Sequence, residues 1–249
     1  MDLATVRYTV DDHVARVVMN RPERRNALDY QLLDDLDAAF VAAEADRDVH
    51  VVVLSGAGPS FCSGYDLKGS YYITPPEGGW TVGNSLERLR GIEDRYKRIW
   101  DFPKPTIAQV HGHALAGGCY LQMLCDISVA AHDATLGHPV VKLGGVSSMP
   151  LWQVLLGPKK ARYLLLTGRT IDGQEAERIG LVSLSVPPED LEATVDALAA
   201  ECAAVPPGGQ RHNKEALNTD LEVMGLSALF RYRGAMNALG RLQGDPYES

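Results

Sequence analysis

The chain is expected to fold as an α/β protein, and three features of the sequence predict it. Apolar runs of strand length recur at residues 49–54, 106–110, 127–131 and 181–186. The longer stretches between them space their apolar residues three and four apart, which is the helical period. Twice, a strand-like run passes through a glycine-bearing turn into a further segment, once at Ser55-Gly-Ala-Gly-Pro59 and once at Gly117-Gly118. Strands alternating with helices call for a largely parallel sheet covered by helices.

At 249 residues the chain is long enough for one α/β domain or two small ones. Its 45% hydrophobic and 22% charged residues are those of an ordinary globule. A net charge of −8 argues against a nucleic-acid partner, which requires a basic face. It does not argue against an anionic ligand, because local donors decide that. No apolar run approaches the ~20 residues of a membrane helix. Met1-Asp-Leu-Ala-Thr-Val lacks the basic segment and apolar core of a signal peptide. No membrane partner and a cytoplasmic location are therefore expected. Cys62, Cys119, Cys125 and Cys202 form no CxxC pair and read as buried thiols in a reducing compartment, with no metal site implied.

In chain order, residues 7–10 and 14–19 read as two strands joined by a tight turn at Asp11-Asp12-His13. A polar loop, Arg21-Pro-Glu-Arg-Arg25, follows, and Asn26 is placed to cap a helix carrying Leu28, Leu32, Leu36, Phe40 and Ala43 at helical spacing. After the strand at 49–54, Phe61-Cys-Ser-Gly-Tyr-Asp-Leu-Lys68 is expected to lead into a helix. Residues 69–91 mix aromatics with Pro and Gly and read as an ordered loop or lid. Residues 85–100 form a helix stopped by the prolines of Asp101-Phe-Pro-Lys-Pro105. Residues 119–125 and 127–131 are a helix and a strand, followed by helical patterns at 151–156 and 159–166 and a short helix from Asp172 to Gly180. A last strand at 181–186 and a helix at 188–204 precede Pro206-Pro-Gly-Gly209, which reads as a hinge before two closing helices at 213–224 and 226–242. No low-complexity segment and no repeat of fixed period are found.

The chain is organised around His111-Gly-His-Ala-Leu-Ala-Gly-Gly-Cys-Tyr-Leu-Gln-Met-Leu-Cys-Asp126. A strand, a small-residue turn and a helix start leave N–H groups unpaired at the helix N-terminus, where the dipole favours negative charge. Adjacent glycines serve either close helix packing or the approach of a ligand to the backbone. With the Phe61–Lys68 passage, the chain has two strand-to-turn backbones of the kind that supply paired N–H donors to one oxygen.

Five segments, in order and spanning almost the whole chain, resemble the crotonase (enoyl-CoA hydratase/isomerase) superfamily. They are Asn20-Arg-Pro-Glu-Arg-Arg-Asn-Ala-Leu28, Phe61-Cys-Ser-Gly-Tyr-Asp-Leu67, Pro103-Lys-Pro-Thr-Ile-Ala108, Gly117-Gly118 with Cys125-Asp126, and Leu166-Thr-Gly168 through Gly180-Leu-Val182. The resemblance implies a ββα spiral over residues 1–205 and a helical C-terminal segment, 206–249, involved in trimer contacts, hence a homotrimer or hexamer. It implies an acyl-CoA substrate, with coenzyme A entering as part of that substrate and no other cofactor. The thioester oxygen would meet the N–H groups of Tyr65 and Gly117. Arg24 and Arg25 would lie near the nucleotide end of coenzyme A, and arginine suits phosphate; otherwise they are two solvated arginines before a helix. Ser63, Asp66, Leu67, Tyr71, Tyr120 and Val140 would line the substrate, with Tyr72 and Trp80 as further candidate pocket walls. Asp66 also reads as a helix-start residue.

The departure from the family lies in its acids and bases. Its hydratases add water with two glutamates, one three residues after the oxyanion glycine and one directly after a proline on the next loop. Those positions are Tyr120 and Val140 here. A general acid or base is worth ~10²–10⁴-fold. The enolate-stabilising half is thus retained without the water-adding half. His138, one residue before Pro139, is the candidate replacement for proton transfer near neutral pH; otherwise it is a structural histidine. Three functions stay open: an acyl-CoA enzyme performing an enolate-based isomerisation, decarboxylation or lyase reaction; a CoA-independent hydrolase of cyclic β-diketones; and a catalytically silent acyl-CoA-binding homologue.

Overall fold

The computed structural model describes residues 3–67, 77, 79 and 81–243. Six strands form the main sheet: β1 (Val6–Asp11), β2 (Val14–Met19), β3 (Val51–Gly56), β4 (Thr106–Val110), β6 (Ile127–Ala131) and β9 (Leu184–Val186), in the order β1-β2-β3-β4-β6-β9. Within this sheet β1 and β2 pair antiparallel, closing across Asp12 and His13, both with positive φ, and its other pairings are parallel. Val51 to Leu54 of β3 are all buried, as a parallel strand flanked on both sides requires. Helix α1 (Tyr30–Ala45) packs on β1 and β2, and α6 (Leu191–Ala204) packs on β2, β3, β4 and β6. No helix among the described residues is long and apolar enough to cross a membrane.

Helix α1 begins later than its apolar spacing suggests. Its cap is Asp29, whose carboxylate accepts the Leu32 N–H at 2.9 Å. Asn26, expected as the cap, sits in the left-handed region at φ 53 and is fully buried. Its amide donates to the Ala57 and Ser60 carbonyls at 2.9 and 2.7 Å and accepts the Arg21 N–H at 2.8 Å. The turn carbonyls after β3 need a buried donor, and asparagine tolerates this backbone. Asn26 thus ties the 21–28 loop to the β3 turn.

A second, three-stranded sheet orders β5 (His113–Leu115), β7 (Thr135–Gly137) and β8 (Thr170–Ile171), and its strands are too short to show a period in the sequence. Helices α2 (Val82–Trp100) and α3 (Gly117–Leu124) bracket β4 and β5 in the chain. Helix α4 (Leu151–Thr167) is two helical runs meeting at Gly157, where φ 65 breaks the backbone before Pro158. The strand expected at 181–186 is confined to its last three residues, β9; Leu181 and Val182 are buried in the turn after the short helix α5 (Gly173–Arg178).

Pro206 to Gly209 is a helix start rather than a hinge. Pro206 is the cap and Pro207 the first residue of α7 (Pro207–Val223), a position where a missing N–H costs nothing. Lys214 of α7 donates to the Asp126 carboxylate at 2.7 Å and to the Lys104 carbonyl at 3.1 Å. The same carboxylate oxygen accepts from the Thr106 N–H and hydroxyl at 2.8 and 2.9 Å, so one aspartate joins β4, β6 and α7.

Helix α8 (Leu226–Gln243) packs on α2, burying Leu226, Phe230, Gly234 and Ala238 at every fourth position. Gly234 is required by the neighbour it meets: the Glu93 carboxyl of α2 fills the space a Cβ would take. Burial, and secondarily Asp94, pushes the Glu93 carboxyl up to about 7 against Arg90, and its Oε1 is buried without a hydrogen-bond partner. The unfolded chain loses this proton near 4.5 and the folded chain near 7, so stability falls as pH rises between the two. Above pH 7, Glu93→Gln is expected to stabilise the protein by ~1–2 kcal/mol, roughly half the full linkage value because the group is only part-buried. Urea denaturation of both forms at pH 5 and 8 checks it: the gain should appear at pH 8 and be small at pH 5.

Candidate active site

The site is built by two backbone segments running side by side. Cys62 pairs in parallel with Ala114: the Cys62 N–H donates to the His113 carbonyl and the Cys62 carbonyl accepts the Leu115 N–H, at 2.8 and 3.0 Å. Three residues further along each segment stand Tyr65 and Gly117. Residues 61–67 are therefore not a helix, as expected from the sequence, but an extended strip held between two neighbours. On its other side the Gly64 carbonyl accepts the Leu28 N–H at 2.7 Å and the Asp66 N–H donates to the Leu28 carbonyl at 2.8 Å. The Tyr65 N–H belongs to the same trans peptide unit as the Gly64 carbonyl and so points the opposite way, to the side where β5 and α3 lie.

Gly117 opens α3, and the first intrahelical bond runs from the Tyr120 N–H to the Ala116 carbonyl at 3.0 Å. The Gly117 N–H consequently has no acceptor within the helix. Ala116 holds φ 49, ψ −114, an uncommon backbone for a residue with a Cβ. Strain of this kind persists only where surrounding contacts impose it. Those contacts are tight: a Cβ on Gly118 would run into the Cys62 carbonyl, and one on Gly117 would meet Leu28 Cδ1 at 2.7 Å and the Tyr65 ring at 3.0 Å. Both glycines are required by packing, Gly118 against the Cys62 carbonyl and Gly117 against Leu28 and the Tyr65 ring.

The Arg21–Arg25 loop borders the same strip. The Ser63 N–H donates to the Arg25 carbonyl at 3.0 Å and the Ser63 hydroxyl to the Arg24 carbonyl at 3.5 Å, while both arginine side chains are exposed. Asp66 is buried, and its carboxylate faces Arg21, 3.3 Å away, which also pairs with Asp29 at 2.9 Å. Its carboxylate thus serves to hold the loop. Leu67 is half exposed, and Tyr71, Tyr72 and Trp80 lie outside the described residues. His111 and His113 do not converge: His111 Nε2 donates to the Gly58 carbonyl at 2.9 Å and His113 Nδ1 meets the Ser60 hydroxyl at 3.0 Å.

One turn along α3 from Gly117, Tyr120 is buried at the centre of a polar cluster. Its hydroxyl lies 2.9 Å from Ser147 Oγ and 3.2 Å from His138 Nδ1, and its ring stacks on His138 with centroids 5.4 Å apart. Tyr96 of α2 meets the Tyr120 ring edge-on at 6.2 Å and joins its hydroxyl to that of Tyr65 at 2.6 Å. Four segments far apart in sequence thus form one chain, Tyr65–Tyr96–Tyr120–His138/Ser147. His138 differs from its sequence expectation in one respect. Burial pushes its imidazole down to about 4, so it is neutral at pH 7 and does not titrate there. Val140 lies in the 3-10 turn Pro139–Leu143 beside Gly145, whose N–H donates to the Val140 carbonyl at 3.0 Å. Tyr96 escaped sequence reading because it continues the apolar stripe of Leu89 and Ile92. Ser147 sits in a loop whose path no local pattern predicts.

A cleft of about 130 Å³ lies at the other end of α3, lined by Gln122, Asp126, Leu155, Leu181 and Ser183, and has no part in this cluster.

Fold and site together describe a ββα-type protein with a helix N-terminus set beside a second backbone strip. Residues 9–238 match the family model described as enoyl-CoA hydratase/isomerase. A Thermus thermophilus protein, provisionally named an enoyl-CoA hydratase, is 39% identical over 237 residues, covering 94% of this chain and 91% of the relative. Among solved structures, an enoyl-CoA hydratase/isomerase from Xanthobacter autotrophicus Py2 superposes with a TM-score of 0.92 at 36% identity, covering 98% of this chain and 90% of that one. An enoyl-CoA hydratase from Mycobacterium smegmatis gives 0.89 at 32% identity, covering 96% and 85%. This chain belongs to the enoyl-CoA hydratase/isomerase family, and its fold is the ββα spiral expected from the resemblance.

Proposed function

We propose that the protein acts on an acyl-CoA thioester, holding the thioester oxygen at the N–H groups of Gly117 and Tyr65 and stabilising an enolate there, in a reaction other than simple hydration. The observation that carries this reading is the bridge Cys62↔Ala114, which lies three residues before Tyr65 on one segment and three before Gly117 on the other. Two preorganised donors, backed by a helix dipole, suit an oxygen on which charge develops. The exposed Arg24 and Arg25 side chains, on a loop whose carbonyls accept from Ser63, would meet phosphate groups of coenzyme A, which favours the CoA-dependent reading. No cofactor beyond the CoA moiety enters this scheme. Exposed apolar side chains on α4, α7 and the turn after it, Leu166, Leu217, Val223 and Met224, support a homotrimer or hexamer that uses the C-terminal helices from residue 206 onward.

Hydration is disfavoured because neither Tyr120 nor Val140 is a carboxylate. The one imidazole in the cluster is neutral, and its nearest partner is a phenol rather than a water-activating base. Crotonyl-CoA consumption by the purified protein is expected to be slow, with kcat far below the enzyme median of ~10 s⁻¹. A kcat well above that value would overturn the non-hydratase reading while leaving the oxyanion site in place.

A further inference from the structure

Helix α8 presents a second face besides the buried one. Arg233, Asn237 and Gly240 are spaced four and three apart and share that face. The Asn237 side-chain amide donates to the Val146 carbonyl, and Gly240 packs on the Val146 side chain, where a Cβ would meet Cγ2 at 2.9 Å. The next residue is Ser147, bound to the Tyr120 hydroxyl at 2.9 Å. This face of α8 therefore lies against the Tyr120–Ser147 pair, and Arg233, one turn from Asn237, has Tyr120 as its electrostatic neighbour.

Arg233 is half-buried and partly desolvated, and among the described residues no carboxylate pairs with it. Glu93, whose carboxyl touches the adjacent Gly234, leaves it unpaired and holds its own proton up to about 7. The contrast is Arg21, also part-buried, which has two carboxylates at 2.9 and 3.3 Å. Taking a guanidinium out of water is costly unless an anion meets it. The described residues supply no such anion, which leaves the guanidinium open to one carried by a ligand. Tyr120 follows Gly117 by one helical turn, about 4.5 Å along α3, so an acyl chain whose carbonyl sits at Gly117 and which follows α3 would run toward Tyr120, the electrostatic neighbour of Arg233.

We infer that Arg233 binds a carboxylate at the far end of the acyl group, and that the substrate class is a short ω-carboxyacyl-CoA. The inference rests on the acyl-CoA reading above. Arginine suits the task, since its planar fork takes a carboxylate by two parallel hydrogen bonds. The alternative is that Arg233 serves only the Tyr120 phenol.

The test is isothermal titration of the full-length protein with three pairs of ligands matched in carbon count: malonyl- and propionyl-CoA, succinyl- and butyryl-CoA, glutaryl- and valeryl-CoA. At least one carboxylated member is expected to bind about 10-fold or more tightly than its neutral match. In Arg233→Gln that preference should vanish while neutral acyl-CoA affinity stays within about twofold, and Arg233→Lys should keep part of it. Thermal melts of both variants check that α8 remains docked. Equal affinities within all three pairs in the unmodified protein overturn the inference, as does a preference that survives Arg233→Gln, and both leave the acyl-CoA reading standing. Failure of every CoA thioester and of free coenzyme A to bind removes that reading and this inference with it.

Discussion

Gly117→Pro is expected to turn over at least ~100-fold more slowly than Gly117→Ala, with both proteins folded. The pair is informative because both variants add a Cβ at the same place. Each meets Leu28 Cδ1 at 2.7 Å and the Tyr65 ring at 3.0 Å, so the steric cost is shared. Alanine is consequently not a benign control, as reasoning from the turn alone would suggest, but a matched one. Only proline removes the N–H. As the first residue of α3, position 117 also tolerates the φ that proline imposes, although Ala116, already at φ 49, is constrained further by a following proline. The reaction can be followed without knowing the natural substrate, as deuterium exchange at the α-carbon of butyryl-CoA in heavy water, read by NMR. Exchange reports enolate formation whatever step follows it. Equal exchange rates in the two variants would falsify the donor role of Gly117 and reduce the turn to packing.

The second large effect concerns His138 and acid. Its imidazole is pushed from an ordinary 6.5 down to about 4 by burial. The unfolded chain therefore takes up a proton as pH falls through 6.5, and the folded chain does so only near 4. Stability from this group is complete above pH 6.5 and is lost progressively as pH falls toward 4. A loss of roughly 3 kcal/mol over that window is expected from this residue. His138→Gln keeps an acceptor and a donor near the Tyr120 hydroxyl but does not titrate, so its denaturation midpoint should change less between pH 6.5 and 4.5. The same variant separates two roles in turnover. If His138 accepts or relays the Tyr120 proton, α-hydrogen exchange at pH 7.5 should fall ~100-fold with little change in stability there. Exchange unchanged at pH 7.5, together with a flattened acid limb, would make His138 a structural partner of Tyr120. The opposing linkage of Glu93, whose contribution is lost as pH rises, means that the two variants should shift the stability optimum in opposite directions.

Much of the fold was legible in the chain itself. The buried run Val51 to Leu54, the apolar stripe of α2 and the prolines after it specify their elements through local spacing. The errors fall where tertiary contacts outvote local preference. Asn26 has the chemistry of a helix cap, yet the carbonyls of Ala57 and Ser60 claim it. Pro206 to Gly209 has the composition of a hinge, yet proline and glycine are both acceptable in the first turn of a helix that Lys214 then locks to Asp126. Strands β5, β7 and β8 are two or three residues long, so no period exists to be read, and their pairing depends on partners tens of residues away.

The candidate site divides in the same way. The sequence by itself determined the Gly117 half of its backbone, because a strand, a glycine pair and a helix start are local events, whereas the extended path of residues 61–67 comes from its neighbours on both sides; the resemblance marked Tyr65 and Gly117 within them. It also determined what is lacking, since Tyr120 and Val140 stand where carboxylates are expected. Only the tertiary structure decided which side chains meet. Tyr65 reaches Tyr96 across 31 positions, Tyr120 reaches Ser147 across 27, and Arg233 of α8 has Tyr120 as its electrostatic neighbour. It decided as well the protonation of what it assembled: His138 is neutral at pH 7 and Glu93 titrates near 7 because burial removes the water that stabilises charge, and burial belongs to the packed whole rather than to any stretch of chain.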